Sequence, residues 1–164
     1  MELIEILNNI TNIQLLIIFI ISAAPIGELR FSIPYGLLLT DLSWSSVIIV
    51  SIIGNISSGI AILYILPYFV KIITKNSLIN RYYTHITRRT YTRSYIIQQR
   101  KYYGLIFFVS LPFPFTGVWT GALASNLLGL SKHKSTLAII IGVFLSSITV
   151  TSFVMLGILA LSIF

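Results

Sequence analysis

The sequence predicts an all-α integral membrane protein, with two inverted re-entrant helical hairpins each followed by a transmembrane helix. Three observations carry that reading. Of 164 residues, 56% are hydrophobic and only 9% charged, with a mean hydropathy of +0.94, where a soluble domain carries about 25% charged residues. Two apolar segments, 12–39 and 103–130, are each broken in the middle by proline and glycine and then followed by an uninterrupted apolar run. Eight of the eleven basic residues fall in one connecting stretch, 71–101, and such loops mark the cytoplasmic side.

Taken in order, the chain reads as a single membrane domain of two half-repeats. Residues 1–11 place Leu3, Ile4, Leu7 and Ile10 on one helical face, as an interfacial helix does. The acidic residues of this tail exclude the basic n-region of a secretory signal. The first half-repeat, 12–70, holds the broken segment, a polar turn at 40–46 with Trp44 suited to the interface, and a clean run at 47–70 that exceeds the roughly 20 residues a span needs. The basic loop, 71–101, carries tyrosine and isoleucine but no acid, and reads first as a topology determinant, then as a basic helix lying on an anionic leaflet. The second half-repeat, 102–164, repeats the pattern: broken segment, basic turn at 131–135, clean run at 136–164. The first prolines of the two breaks recur at similar places in each half, although the residues themselves match poorly. Paired interruptions of this kind point to a transporter-like binding site.

Two topologies compete. If all four segments span and the basic loop is inside, Lys132, His133 and Lys134 lie outside, against the positive-inside rule. If each broken segment returns to its own side, those residues stay inside, Glu2, Glu5 and Asp41 gather outside, and the halves are inverted. A half-helix of about 12 residues reaches roughly 18 Å, past the midplane of a 30 Å core. The charges favour the hairpins.

The candidate site lies in the breaks. Glu28 is the only acid in the apolar segments and is able to load and release a proton; Arg30 is a permanent cation with a fork that suits phosphate or carboxylate. A charge at mid-bilayer costs roughly 2.5–3.5 kcal/mol and is functional by default, while the bland alternative is an inert Glu28–Arg30 pair meeting in an extended tip. Ser32 and Thr116 follow the breaks as candidate N-caps, with Pro34 in a first helical turn, so that two helix N-termini aim at an anionic group beside Arg30. Pro25, Pro112, Pro114 and Gly117 complete the breaks. Asn55, Trp119 and Thr120 are candidate contacts, and the Gly117, Gly121, Ser125, Gly129 stripe suits close helix packing. No nucleophile–base–acid set, phosphate loop or metal-ligand spacing occurs, so no enzyme, cofactor, metal or nucleic-acid partner is expected, and the absence of cysteine excludes disulfides.

PIGELRFSIPYG at 25–36, the Gly54-Asn55 pair and FVSLPFPFTGVWTGALASNLLGL at 108–130 resemble the small multi-drug export protein family of bacteria and archaea. The pattern there looks like proline followed by E-L-R-x-x-I-P, then G-N, then I-P-L-P-G-T-G-x-W-T-G-A; Phe113 and Phe115 stand where smaller residues are usual. The resemblance covers essentially the whole chain and implies a multi-pass protein of a prokaryotic plasma membrane. The architecture is also similar to that of DedA-type proteins, with inverted hairpins bearing an acid and an arginine at their tips, although here the second tip carries no charge. Three functions are therefore weighed: a proton-coupled secondary transporter or exporter of a small anionic or amphiphilic solute, a translocase of a phosphorylated lipid carrier, and a non-transporting membrane scaffold. So small a chain encloses little, and a homodimer is expected. Single cysteines at Asn8, Ser131 and Ser162 test the topology with an impermeant thiol reagent. Inverted hairpins require Asn8 and Ser162 to label on intact cells and Ser131 only after lysis; the reverse pattern means four spans.

Overall fold

The computed structural model describes residues 2–73, 85, 88–90, 92, 94–113 and 116–163. Among them six helices run end to end: α1 Glu2–Ala23, α2 Glu28–Leu39, α3 Trp44–Ile73, α4 Tyr95–Ser110, α5 Val118–Leu127 and α6 Lys132–Ile163. No strand occurs among the described residues. Much of the basic loop, and with it Lys75, Arg81 and Arg93, lies outside them.

Two boundaries differ from those the sequence predicts. Residues 2–11 are not a separate interfacial helix: α1 continues through them to Ala23, because nothing near Thr11 interrupts the hydrogen-bond ladder. The first break is confined to Ala24–Gly27, with α2 starting at Glu28 rather than near Ser32. Pro34 is therefore an interior residue of α2, where its missing N–H leaves the Arg30 carbonyl without its helical donor. α4 consists of two helical pieces joined at a kink at Lys101, whose φ of 47° departs from the helix.

The turns bring consecutive helices back antiparallel. Gly36 of α2 packs on Val47 of α3 and on Ile18 of α1; Gly121 of α5 packs on Leu105 and Val109 of α4. Leu128, Gly129 and Leu130 end α5 with the paired bonds of a Schellman motif, including Leu130 N–H to the Ser125 carbonyl at 3.0 Å, and Gly129 takes the required left-handed φ of 62°. The long helices also run antiparallel to each other. Lys132, at the start of α6, lies over the rings of Tyr64 and Tyr68 near the far end of α3, 5.2 and 5.4 Å from their centroids, while Ile139 adjoins Gly59.

Two glycines set the depth of the short helices. Gly54 lies against Phe19 and Ser22 near the end of α1, and Gly142 lies against Ile106 and Val109 near the end of α4. Each sits ten residues past the first residue of its helix, Trp44 or Lys132. The first turn, at Ala24–Gly27, therefore reaches only part-way along α3, and the second, at Leu111–Gly117, part-way along α6. At 1.5 Å per residue, α2 with 12 residues and α5 with 10 are about 18 and 15 Å long, against about 45 and 48 Å for α3 and α6.

The core lies where the two units meet, around Leu29, Ile33, Leu63, Leu105, Val118 and Ile139. Elsewhere the helices turn large apolar side chains outward, Ile49, Ile53 and Ile65 on α3 and Phe144, Ile148 and Phe153 on α6 among them. So extensive an exposed apolar surface calls for lipid or protein around it, and α3 and α6 are long and apolar enough to cross a bilayer. A Cβ at Gly54 would overlap the Phe19 carbonyl and the Ser22 hydroxyl. Gly54→Val is expected to lower thermal stability in detergent by about 1–3 kcal/mol. Gly157→Ala, which meets nothing within 4 Å, should leave the melting temperature nearly unchanged.

Candidate functional site

The two turns meet, and each is held by the other's polar groups. Pro25 lacks an N–H and disfavours helical backbone at Ala24, so α1 ends there. The Ala24 N–H still reaches the Ile20 carbonyl at 3.0 Å, and the Glu28 N–H reaches the Ala24 carbonyl at 3.3 Å. Glu28 itself takes a left-handed φ of 48°. A non-glycine residue there costs about 1–2 kcal/mol, and such a departure persists only where its surroundings over-determine it.

Those surroundings are the N-terminus of α5. Glu28 Oε1 accepts the Trp119 N–H at 3.2 Å and also faces the Val118 N–H. These are orphan donors of a helix start, and a carboxylate placed on them is favoured by up to about 2 kcal/mol when partly buried. Neither α2 nor α5 has a side-chain cap of its own; Glu28 supplies the cap for α5 from the opposite hairpin. Gly117, the residue before α5, has φ 151°, and a Cβ there would run into the Glu28 carboxyl. Glycine is therefore needed both for the backbone and for the approach.

Arg30 completes the clasp. Its Nη2 lies 3.7 Å from Glu28 Oε2 and donates to the Thr116 carbonyl, to the Leu111 carbonyl at 3.3 Å and to Thr116 Oγ1 at 3.3 Å. Thr116 Oγ1 is a donor to the Leu111 or Phe113 carbonyl, 2.9 or 2.8 Å away, and so ties the second turn together. Trp119 Nε1 donates to the Ala23 carbonyl at 3.0 Å, which caps the last turn of α1. Beside this clasp lies a cavity of about 380 Å³. Glu28, Arg30, Thr116 and Thr120 give it polar groups; Pro25, Ile26, Phe31, Pro112 and Trp119 give it apolar walls.

The fold thus brings Glu28, Arg30, Thr116, Trp119 and Thr120 to one place. Ser32 and Asn55 are buried but do not line the cavity. Ser32 is not an N-cap, because it lies inside α2, and Thr116 is not one, because Gly117 holds that position and the Thr116 hydroxyl is spent on the turn. The tip is not extended either; the left-handed Glu28 at the head of a helix is what lets its carboxyl stay near Arg30. Pro114 lies outside the described residues. Sequence reading missed Ile26 and Phe31, which are 83% and 60% exposed beside the site; their place next to Gly27 and Arg30 was the available signal. It also missed the backbone acceptors Ala23, Leu111 and Thr116, which leave no trace in residue type. Among the described residues no three His, Cys, Asp or Glu side chains converge as a metal site.

The sequence profile of the family described as "Putative small multi-drug export protein" matches residues 28–149. The chain belongs to that family. The match begins at Glu28, just after the first turn, and takes in the charged pair, the second turn and the first half of α6, so this member of the small multi-drug export family carries Glu28, Arg30, Thr116, Trp119 and Thr120 inside the matched region. With family and exposed apolar helices together, it is a membrane protein of an export family. No curated protein and no solved structure is significantly similar to the chain.

Removing one partner of a buried charge pair leaves the other uncompensated, at about 3–5 kcal/mol. Glu28→Leu is expected to lower stability by that order, since it also strips α5 of its cap. Glu28→Gln keeps an oxygen for the Trp119 N–H and should cost clearly less. Thermal unfolding in a mild detergent measures both.

Proposed function

We propose that this protein is a proton-coupled secondary transporter, exporting a small anionic or amphiphilic solute through a site where two re-entrant, inverted hairpins meet. The observation that carries the reading is the cavity lined at once by Glu28, Arg30 and apolar walls. A packed scaffold has no need of a 380 Å³ space beside its clasp of opposite charges. The antiparallel α3 and α6, with short helices ending part-way along each, support the hairpin topology. A turn at such depth is tolerated only where protein buries it or a cavity adjoins it.

The chemistry follows from the clasp. While Glu28 is ionised it holds the α5 N-terminus and faces Arg30. When it takes a proton, its charge no longer balances Arg30, and the guanidinium is free to pair with an incoming anion. The solute's apolar part packs against Phe31, Pro112 and Trp119. The Glu28 carboxylate and the solute anion thereby use the same cation in turn, and the proton that neutralises one admits the other, which couples their movements. Ile26 and Phe31, exposed at the mouth, favour entry from the lipid side and so support a second reading: translocation of a phosphorylated lipid carrier, as in the DedA-type architecture. A bilayer and a small-molecule or lipid-phosphate partner are implied in both cases, with a homodimer the proposed assembly.

Only two tryptophans are present, so Trp44→Phe leaves Trp119 as the sole indole reporter in the cavity. Hexyl phosphate is expected to shift its fluorescence saturably, and Arg30→Gln in that background to weaken the apparent affinity at least tenfold. Hexyltrimethylammonium, a cation of equal chain length, should have no such effect. Equal responses to both probes would overturn the anion assignment, and no response to any solute or lipid phosphate would leave the scaffold reading.

A further inference from the structure

The polar residues of α2 and α3 that stay out of the cavity form a set of their own. Ser32 Oγ, Ser51 Oγ and Asn55 Oδ1 are buried without a hydrogen-bond partner, and their residues are 0%, 0% and 1% exposed. Gly36 against Val47 fixes the antiparallel register of the two helices. One helical turn along each brings Ser32 opposite Ser51, and a second turn brings Glu28 opposite Asn55. Ser51 and Asn55, four residues apart, share one face of α3. The three orphan groups therefore lie in a row between α2 and α3 that ends at Glu28. Gly59, one turn past Asn55, touches Val118 at the head of α5, which places this end of the row beside the clasp.

Buried hydroxyls and amides are nearly always hydrogen-bonded, and the neighbours along this row, Leu29, Ile33 and Val47, offer no polar side-chain atom. A water molecule between the two helices meets the need of all three groups at once. Its oxygen accepts from a serine hydroxyl and its hydrogens go to Asn55 Oδ1 and to a second oxygen, the two to four partners that an internal water requires. The row is separate from the cavity, whose walls include none of the three.

We infer that Ser32, Ser51 and Asn55 hold internal water between α2 and α3, and that this water, rather than the open cavity, carries the proton to and from Glu28. The second half rests on the proton-coupled reading; the first does not. The step balances at each oxygen: the water nearest Glu28 gives one proton to the carboxylate and takes one from the next water or serine hydroxyl, each donor is reprotonated by the one behind it, and the last draws its proton from solvent at the turn between α2 and α3, where Asp41 and Ser43 are exposed. Arg30 is the charged group facing Glu28 among the described residues, and the N–H groups of Val118 and Trp119 are its other polar neighbours. Solute and proton then arrive at the clasp from opposite faces of α2.

Two measurements test the two halves. Radiolytic hydroxyl-radical labelling of the purified protein, read by mass spectrometry, oxidises buried side chains only where water is bound beside them. Ile33 and Val47, both 0% exposed, should be oxidised several-fold faster than Leu105, also 0% exposed and away from the row on α4, and Ser51→Val should bring them down to its rate. Equal rates in the unaltered protein mean a dry seam and overturn both halves. In liposomes containing a trapped pH dye, hexyl phosphate should drive proton movement, which Ser51→Val slows at least tenfold while the Trp119 fluorescence response stays unchanged. Ser32→Ala, which removes only a hydroxyl, should slow it in the same direction. Proton movement that is fast in the unaltered protein and equally fast in both variants overturns the route through the seam alone. No proton movement in the unaltered protein overturns the coupled reading, and with it the second half.

Discussion

Everything at the centre of this molecule depends on one requirement, that no charge removed from water stands without a partner. Glu28 and Arg30 meet it partly with each other and partly across the junction between the two units. The carboxyl sits on the first N–H groups of α5, and the guanidinium gathers carbonyls from the turn just before it. Each group also answers a need of the other unit, since α5 has no cap of its own and the turn has carbonyls facing inward. Two charges and one backbone turn thus become mutually necessary, and the left-handed Glu28 and the glycine at 117 are the local accommodations that bring them together.

The long helices serve that meeting by setting its depth. Gly54 and Gly142 let the ends of α1 and α4 come close to α3 and α6 at equivalent levels, so both turns arrive at one height. Ser125 and Ser135, with their hydroxyls 2.6 Å apart, and Asn126, which donates to the Ile62 carbonyl at 3.2 Å, fasten the far end of α5 in the same way. Without a hydrophobic force between helices in lipid, such close approaches and buried hydrogen bonds supply much of the packing. Apolar side chains are left to face outward, as they do along α3 and α6.

A clasp in which the Glu28 carboxyl and Arg30 Nη2 are partnered within the protein is also one that a solute must compete with. That is the physical content of the proposed transport cycle: an anion that reaches Arg30 does so at the expense of Glu28, and the proton makes the exchange neutral. The same geometry would be a mere rivet if the space beside it were closed. Pro112, Trp119 and Phe31 hold it open by presenting rigid rings, which cannot fold down to fill the gap as an aliphatic chain would.

Composition, the two proline breaks and the crowding of basic residues into one loop were enough to read a helical membrane protein with paired short and long elements. They also singled out Glu28, Arg30, Thr116, Trp119 and Thr120, because charge, break and aromatic residues at membrane depth are conspicuous against Leu and Ile. Where α2 begins was not legible. Pro34 looks like a helix start in sequence, yet α2 begins six residues earlier, at Glu28, since packing across the junction outweighs the local preference of a single proline. Nor was it legible that Ser32 and Asn55 would miss the cavity, or that Glu28 would cap a helix 90 residues away. Residue type determines which groups cannot be left alone in an apolar medium; which partner each one finds depends on helix register and on backbone atoms, and those exist only once the two units have packed.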